Sequence, residues 1–367
     1  MVSMVSMVST PFGTPLETDA LVVGAGPVGL FQVFQLGLHA MHTHVIDTLP
    51  YAGGQCMELY PDKPIYDIPA LTVCTGRELT ERLLQQITPF EPRFHFNQHV
   101  SSVQAQADGR WLVATSKGRQ FLTKTLFIAA GVGAFLPRTL KVAALEPFEG
   151  SQMHYRINNP GDFADKQVLI VGSDDAAVQH ALALCAAHID GNPYKARSVT
   201  LLHRRDALQA DPVALATLRT LCDAGHMEFV VGQITGHDEQ QGHLNALHIT
   251  TVDGTERTLP TDALLVLQGL SPKLGPIAEW GLAMERKQLQ VSTETFATSA
   301  PGIFAVGDIN TYPGKKKLIV CGFHECVLAA FAAMAVIAPN TKVPLEYTTS
   351  SARLHALLGV TPSTHNA

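Results

Sequence analysis

The chain has 367 residues, of which 46% are hydrophobic and 16% are charged. This composition is typical of globular proteins and excludes a mostly disordered chain. The formal net charge is −6, from 26 basic and 32 acidic residues, so the chain as a whole repels nucleic acid and anionic membranes. At roughly 150 residues per domain, the length predicts two domains or three.

No stretch of about 18 or more residues is apolar and free of charged and turn residues, so no membrane-spanning helix is predicted. The first basic residue is Lys63, which argues against secretory and mitochondrial targeting and favours the cytoplasm. The six cysteines are scattered without a Cys-x-x-Cys pair, which predicts reduced thiols. The histidines and cysteines show no spacing typical of metal ligands, so no metal is expected.

A glycine motif stands near the N-terminus. The sequence Gly24-Ala-Gly26-Pro-Val-Gly29 follows an aliphatic run and precedes an apolar stretch, which predicts a strand, a phosphate-binding loop and a helix. Gly24 suits the tight turn, Gly26 the approach of a pyrophosphate, and Gly29 the packing of the helix on the strand. The pyrophosphate would lie at the N-terminus of this helix.

The next predicted strand ends in an acid, Asp47, 21 residues after Gly26. A carboxylate at this position accepts hydrogen bonds from the ribose hydroxyls of an adenosine and repels a 2′-phosphate. The first unit is therefore predicted to bind FAD or NAD, and not NADP.

A second strand-helix-strand unit contains the loop Gly172-Ser-Asp174-Asp, and its second strand ends in His203-Arg204-Arg205. The basic cluster replaces the acid of the first unit and suits the 2′-phosphate of NADP. Two such units in one chain predict two dinucleotides and hydride transfer between them.

Asp174 occupies the position of the glycine that would let the diphosphate approach. A carboxylate about 5 Å from a phosphate, at an effective dielectric constant near 20, costs roughly 3 kcal/mol, or about a hundredfold in affinity. An alternative therefore stays open, in which this loop only packs a strand on a helix and binds the nucleotide weakly or not at all.

Two longer strings extend the pattern, Gly53-Gly-Gln55-Cys-Met-Glu-Leu-Tyr60 and Val306-Gly-Asp308-Ile-Asn-Thr-Tyr-Pro-Gly-Lys, the latter followed by Gly322-Phe-His-Glu. They resemble the flavin loop and the second FAD motif of the two-dinucleotide flavoprotein disulfide-reductase superfamily. Within it, the chain resembles the thioredoxin-reductase-like ferredoxin–NADP reductases from about Thr18 to Thr361.

The resemblance implies two cofactors, FAD and NADPH, and assigns residues to each. Asp47 would bind the adenosine ribose, Val100 would lie at the adenine, and Asp308 would lie on the ribityl chain. Gln55, Tyr60, Phe135 and Thr349 would lie at or beside the flavin. The complete FAD set is Gly24, Gly26, Gly29, Asp47, Gln55, Tyr60, Val100, Phe135, Asp308 and Thr349, and the NADP set is Gly172, His203, Arg204 and Arg205.

The expected fold is α/β, with two Rossmann-like dinucleotide-binding domains, the NADP domain being inserted into the FAD domain. The FAD domain would comprise residues 1–137 and 285–367, and the NADP domain residues 138–284. A homodimer is implied by the resemblance alone.

The resemblance implies an oxidoreductase that passes electrons between NADPH and ferredoxin, by hydride transfer to the flavin and single-electron steps from it. Because the second unit lacks the Cys-x-x-Cys pair of thioredoxin reductases, the flavin would reduce an iron–sulfur protein directly. No catalytic side chain is required. Lys315-Lys316-Lys317 is the candidate docking site for ferredoxin.

Two alternatives to this function remain. One is a flavoprotein with a decayed NADPH site that serves as a scaffold or sensor. The other is a flavin reductase that uses another acceptor, such as a quinone.

Overall fold

The computed structural model describes residues 14–142, 144–157, 159–185, 195–341 and 346–360. The chain divides into two compact units. Unit 1 comprises Met1–Phe135 and Pro272–Ala367, and unit 2 comprises Leu136–Ser271. Unit 2 is thus inserted into unit 1 along the sequence.

The helices of the described residues are α1 (Pro27–Leu38), α2 (Gln55–Leu59), α3 (Gly76–Ile87), α4 (Asp175–Cys185), α5 (Pro212–Asp223), α6 (Ile319–Ile337) and α7 (Ala352–Leu357). The strands are β1 (Leu16–Val23), β2 (Thr43–Ile46), β3 (Pro64–Ile65), β4 (Cys74–Thr75), β5 (Arg93–His95), β6 (Val100–Ala105), β7 (Trp111–Thr115), β8 (Gln120–Ile128), β9 (Ala134–Pro137), β10 (Met153–His154), β11 (Gln167–Gly172), β12 (Ser198–His203), β13 (Glu228–Gln240), β14 (His243–Thr251), β15 (Glu256–Pro260), β16 (Ala263–Leu267), β17 (Leu270–Lys273), β18 (Met284–Glu285), β19 (Gln288–Gln290), β20 (Ile303–Ala305) and β21 (Asn310–Thr311).

The main sheet of unit 1 has the strand order β5-β2-β1-β8-β7-β6, and β20 also pairs with β8. Strands β5, β2, β1, β8 and β20 are parallel, whereas β6 and β7 join by antiparallel pairing. The parallel strands are apolar on both faces, as in sheets that helices cover. One face carries Val22 and Phe127, which lie in one buried cluster with Leu30 of α1.

The sheet of unit 2 has the order β10-β16-β11-β12-β13-β14-β15. Its first five strands are parallel, and β14 and β15 are antiparallel. Ile170, Leu201 and Leu265 are buried together with the apolar side of α4. The units β1-α1-β2 and β11-α4-β12 both have adjacent parallel strands joined through a helix, so the prediction of an α/β fold with two Rossmann-like domains is confirmed.

The second boundary between the units falls between Ser271 and Pro272, and not after residue 284 as the sequence predicted. The cause is the packing of the intervening segment. Ile277 and Leu282 are buried in one cluster with Leu21 of β1, so their apolar side chains belong to the core of unit 1.

Helix α6 is, among the described residues, the one helix long and apolar enough by composition to cross a membrane. Three of its alanines, Ala329, Ala330 and Ala333, are fully buried in the core cluster of unit 1 that contains Leu30. It also carries a fully buried acid, Glu325. These contacts are those of a core helix.

Three side chains on β2, on β5 and just before β8 form a hydrogen-bonded chain. Arg119 Nη1 lies 3.0 Å from His95 Nδ1, and His95 Nε2 lies 2.8 Å from His44 Nδ1. Because an arginine only donates, His95 accepts at Nδ1 and donates from Nε2 to His44, which keeps both imidazoles neutral. Burial, His44 and Arg119 together lower the pKa of His95 to about 4.

We expect the free energy of unfolding to fall as the pH is lowered from about 6.5 towards about 4. Over this interval the unfolded chain binds a proton at His95 that the folded chain does not bind, so acid favours the unfolded state. His95→Gln should make the pH dependence shallower in this window, as measured by urea unfolding from pH 7.5 to 4.5. The exposed His99 supplies the control His99→Gln, and equal slopes in wild type and His95→Gln would contradict the prediction.

Candidate dinucleotide sites

Two glycines in the glycine loop of unit 1 are required by the fold, whereas the third is not. Gly24 has φ +108°, and a Cβ at Gly29 would lie 1.9 Å from the carbonyl oxygen of Gly24. Gly26 has an ordinary φ of −70°. The atom nearest to a Cβ at Gly26 would be Gly54 Cα, 3.9 Å away. The open space before the N-terminus of α1 is therefore not filled by protein, and it fits the approach of a pyrophosphate.

Asp47 holds this loop in place. Its Oδ2 accepts a hydrogen bond from the Ala25 N–H at 2.6 Å, and its Oδ1 accepts one from the Leu49 N–H at 2.8 Å. Burial raises the pKa of Asp47, and these backbone hydrogen bonds oppose that rise. The side chain of Thr48 is a third hydrogen-bond partner of Asp47. A carboxylate has about four acceptor sites, so about one remains for the ribose hydroxyls that the sequence predicted as its partners.

Val100 lies two residues after Gln98, the N–H of which donates to the Asp47 carbonyl at 3.1 Å. The Val100 side chain is 3% exposed and packs in one cluster with Leu21 and Ile46. Val100 is also paired with Thr115 across β6 and β7, and its contact with an adenine stays a prediction.

The loop before α2 lies against the glycine loop. A Cβ at Gly54 would lie 2.9 Å from Gly26 Cα, and the half-buried Gln55 begins α2 directly after Gly54. The Tyr60 Oη accepts a hydrogen bond from Cys56 Sγ at 3.6 Å. Burial, Cys56 and the Asp308 carboxylate raise the pKa of Tyr60, which places Asp308 in the neighbourhood of this ring.

Asp308 follows Gly307 in a turn after β20. Gly307 has φ +80°, and a Cβ on it would lie 3.2 Å from Val28 in the first turn of α1. Burial raises the pKa of the half-buried Asp308, and Lys315 and Lys317 oppose the rise. The structure thus brings the glycine loop, the start of α2 and Asp308 together at one end of α1.

Two further residues that the resemblance places beside the flavin, Phe135 and Thr349, stay predictions. Phe135 lies in β9, and its side chain is outside the described part of the structure. Thr349 is exposed in a turn before α7. Arg353 of α7 donates to the carbonyl of Gly37 at 2.8 Å, at the end of α1 opposite to the glycine loop.

Two side chains near Asp308 were not predicted correctly from the sequence. Glu325 was assigned no role, and Lys315 was predicted to be part of a ferredoxin-docking site. Glu325 is fully buried and forms an ion pair with Lys315, whose side chain is 7% exposed. Lys315 is therefore not part of an exposed patch, and only Lys316 and Lys317 are exposed. The sequence does contain one signal for this ion pair, because an acid inside an otherwise apolar helix needs a buried partner.

In unit 2, Asp174 caps α4. Its Oδ1 accepts a hydrogen bond from the Ala177 N–H at 3.0 Å. Aspartate is among the preferred residues at this position because its carboxylate satisfies an otherwise unpaired N–H. The carboxylate therefore occupies the helix N-terminus, where a diphosphate would otherwise be bound. Gly172 is required by packing, because a Cβ there would lie 2.3 Å from the carbonyl oxygen of Leu267.

The basic cluster stands at the end of β12. Arg204 and Arg205 are exposed, and within the described residues neither forms an ion pair. Burial lowers the pKa of His203, and the two arginines lower it further. Their positive charge is thus available to an anionic ligand. No group of three or more potential metal ligands is found in the part of the chain that the structure describes.

Comparison with known proteins agrees with this arrangement. The family model of the pyridine nucleotide-disulphide oxidoreductases matches residues 18–325, and the chain belongs to this family. It is 62% identical over 346 residues to a ferredoxin–NADP reductase of Albidiferax ferrireducens, which covers 94% of this chain and 97% of that protein. A ferredoxin–NADP reductase of Polaromonas sp. is 60% identical over 346 residues, 94% of this chain and 93% of that protein.

A solved structure shares the fold. The thioredoxin reductase of Lactococcus lactis aligns with a TM-score of 0.57 at 21% identity, over 88% of this chain and 99% of that one. At this identity the likeness concerns the fold alone.

Gly29 and Gly26 of the glycine loop in unit 1 give a matched pair of variants. Gly29→Ala should lower the free energy of unfolding by several kcal/mol, because its Cβ would overlap the Gly24 carbonyl. Gly26→Ala should change it by no more than about 1 kcal/mol, because it only replaces a glycine N-cap. Chemical unfolding measures both. Equal losses would show that the space at Gly26 is structural and not reserved for a ligand.

Proposed function

We propose that this chain is a ferredoxin–NADP reductase of the thioredoxin-reductase-like type, with FAD bound in unit 1 and NADPH in unit 2. The proposal rests on the charges that follow the second strand of each strand-helix-strand unit. This charge is negative in unit 1, from Asp47, and positive in unit 2, from Arg204 and Arg205. The two relatives at 62% and 60% identity are both named ferredoxin–NADP reductase, and the similarity extends over nearly their whole length.

The residues of unit 1 bind and orient the FAD. The N-terminus of α1 and the open space at Gly26 receive the pyrophosphate, and Asp47 receives the ribose. Gln55, Tyr60 and Asp308 lie at the flavin end. When bound, FAD supplies hydride acceptance from NADPH and the release of electrons one at a time. No side chain has to act as acid, base or nucleophile.

The cysteines support an iron–sulfur acceptor over a disulfide. All six are free thiols. In unit 2, Cys185 is buried and its Sγ donates to the His226 carbonyl at 3.5 Å, while Cys222 belongs to another helix, α5. A Cys-x-x-Cys dithiol is absent from the sequence, so electrons leave towards an external carrier. Free thiols also support the cytoplasm as the compartment. The homodimer rests on the family resemblance.

The direct test is spectroscopic. Purified protein should be yellow and release one FAD per chain on denaturation. Its flavin absorbance should bleach anaerobically with NADPH, much more slowly with NADH, and return when oxidised ferredoxin is added. Bleaching without return would favour another acceptor such as a quinone, and FMN or no flavin would contradict the assignment of unit 1.

One observation favours a second candidate, a flavoprotein that binds NADPH too weakly for turnover. The Asp174 carboxylate already accepts the Ala177 N–H in the first turn of α4 and places a negative charge there. A protein that holds FAD but shows no saturable NADPH binding would establish this candidate.

Two variants at Asp174 separate charge from capping. Asp174→Asn keeps an N-cap of similar quality and removes the charge, whereas Asp174→Gly removes both. We expect both to tighten NADPH binding, by up to about a hundredfold, because the repulsion of the diphosphate is lost. Fluorescence or calorimetric titration measures the dissociation constant. Arg204→Ala should instead erode the preference for NADPH over NADH, and unchanged constants in both Asp174 variants would contradict the expectation.

Lys316 and Lys317 are the revised candidates for docking an acidic ferredoxin. The double variant Lys316→Gln/Lys317→Gln should slow ferredoxin reduction at low salt and flatten its dependence on ionic strength, while bleaching by NADPH stays within twofold. Stopped-flow kinetics at several salt concentrations measure this. Lys117→Gln/Lys141→Gln removes the same charge from other exposed positions, and an equal effect of both pairs would exclude a local docking site.

A further inference from the structure

One buried ion pair binds both backbone polar groups of Gly307, its N–H and its carbonyl. The Gly307 N–H donates to Glu325 Oε2 at 2.7 Å, and Lys315 Nζ donates to the Gly307 carbonyl at 2.9 Å. Lys315 and Glu325 are also paired with each other. The two charges therefore close a clamp around the residue that precedes Asp308.

Glu325 has further partners. It accepts hydrogen bonds from Asn310 Nδ2 at 2.8 Å and from Tyr312 Oη at 2.9 Å. The ammonium group of Lys315 lies 5.3 Å from the centre of the Tyr312 ring. Buried ion pairs contribute little net stability compared with apolar side chains of the same size. A fully satisfied pair at this place therefore calls for a role other than stability.

The turn that contains Gly307 is packed closely against α1. A Cβ at Gly307 would lie 3.2 Å from Val28, and a Cβ at Gly322 of α6 would lie 2.4 Å from Val28 Cγ2. The Cys326 thiol donates to the Val28 carbonyl at 3.3 Å. The ion pair thus fixes Asp308 relative to the helix whose N-terminus carries the glycine loop.

Charge is also shared at the turn. Lys315 acts electrostatically on the Asp308 carboxylate and is paired with Glu325, while Lys317 acts on Asp308 from an exposed position. One buried cation therefore faces two carboxylates. Without Glu325, the Lys315 cation would interact with the Asp308 carboxylate alone. Without Lys315, the two carboxylates would repel each other with no buried cation between them.

We propose that Lys315 and Glu325 are positioning residues that hold the Gly307–Asp308 turn and balance the charge next to the flavin. This inference rests on the proposed function for the presence of FAD in unit 1. Reduction adds negative charge to a flavin, so removal of a nearby carboxylate favours the reduced form and removal of a nearby cation favours the oxidised form. The two residues therefore shift the redox equilibrium in opposite directions.

The test uses the FAD-loaded protein and measures the ratio of oxidised to reduced flavin against a reference dye, with chemical reductant and without NADPH or ferredoxin. Glu325→Gln should move the ratio at least tenfold towards reduced flavin, and Lys315→Met at least tenfold towards oxidised flavin. The double variant Lys315→Met/Glu325→Gln should return to within threefold of wild type. Lys117→Met, which removes the charge of an exposed lysine with no role in the site, is the control and should shift the ratio less than threefold.

Shifts of the same sign in both single variants, or shifts no larger than that of Lys117→Met, would overturn the proposal and indicate a role in folding alone. If one single variant does not fold, the other must still shift in its stated direction and the double variant must reverse the shift. If neither folds, the double variant must fold, because it contains no unpaired buried charge, and its failure overturns the proposal. Wild-type protein without FAD would refute the proposed function instead.

Discussion

The close approach of backbone segments around the first turn of α1 is the constraint on which the candidate FAD site depends. Gly24 and Gly29 touch across the loop, Gly54 lies against Gly26, and Gly307 and Gly322 lie against Val28. Each contact leaves no room for a side chain, except beside Gly26, where the space remains open. Three segments far apart in sequence thus meet at one helix N-terminus, the partial positive charge of which favours an anionic group. The rest of unit 1 can be understood as the support that keeps these segments together.

The two Rossmann-like units place a carboxylate near the same structural element with opposite consequences. In unit 1, Asp47 comes from the end of the neighbouring strand and holds the loop through the Ala25 N–H, which leaves the space at Gly26 free. In unit 2, Asp174 lies within the loop and accepts the Ala177 N–H itself. A carboxylate that stabilises a loop from the side assists anion binding, whereas one that caps the helix competes with it. The same kind of local stabilisation would therefore leave ligand binding unhindered in unit 1 and oppose it in unit 2.

Much of the fold could be predicted from local patterns, because glycine loops, aliphatic strands and the acid at residue 47 are contiguous signals. The second unit boundary could not, since Ile277 and Leu282 show their membership of unit 1 only by packing against Leu21. The Lys315–Glu325 pair was missed for a related reason. Three consecutive lysines suggest a solvated turn, and nothing local indicates that the first of them reaches a buried carboxylate ten residues later. The assignments of Phe135 and Thr349 remain predictions, because the contacts of a flavin with these residues leave no local signal in the sequence.

The lysine run also connects the interior of unit 1 to its surface. Lys315 points into the core towards Glu325, whereas Lys316 and Lys317 are exposed. Two residues of extended chain span at most about 7 Å, so the exposed charges cannot be far from the backbone that carries the buried one. An acidic protein bound at Lys316 and Lys317 would therefore bring negative charge close to the Gly307–Asp308 turn. Coulomb interactions at this range are weakened by solvent at the surface but less so in the buried part of the turn. Docking of an acceptor at Lys316 and Lys317 would thus act on the proposed charge balance beside the flavin through one short segment.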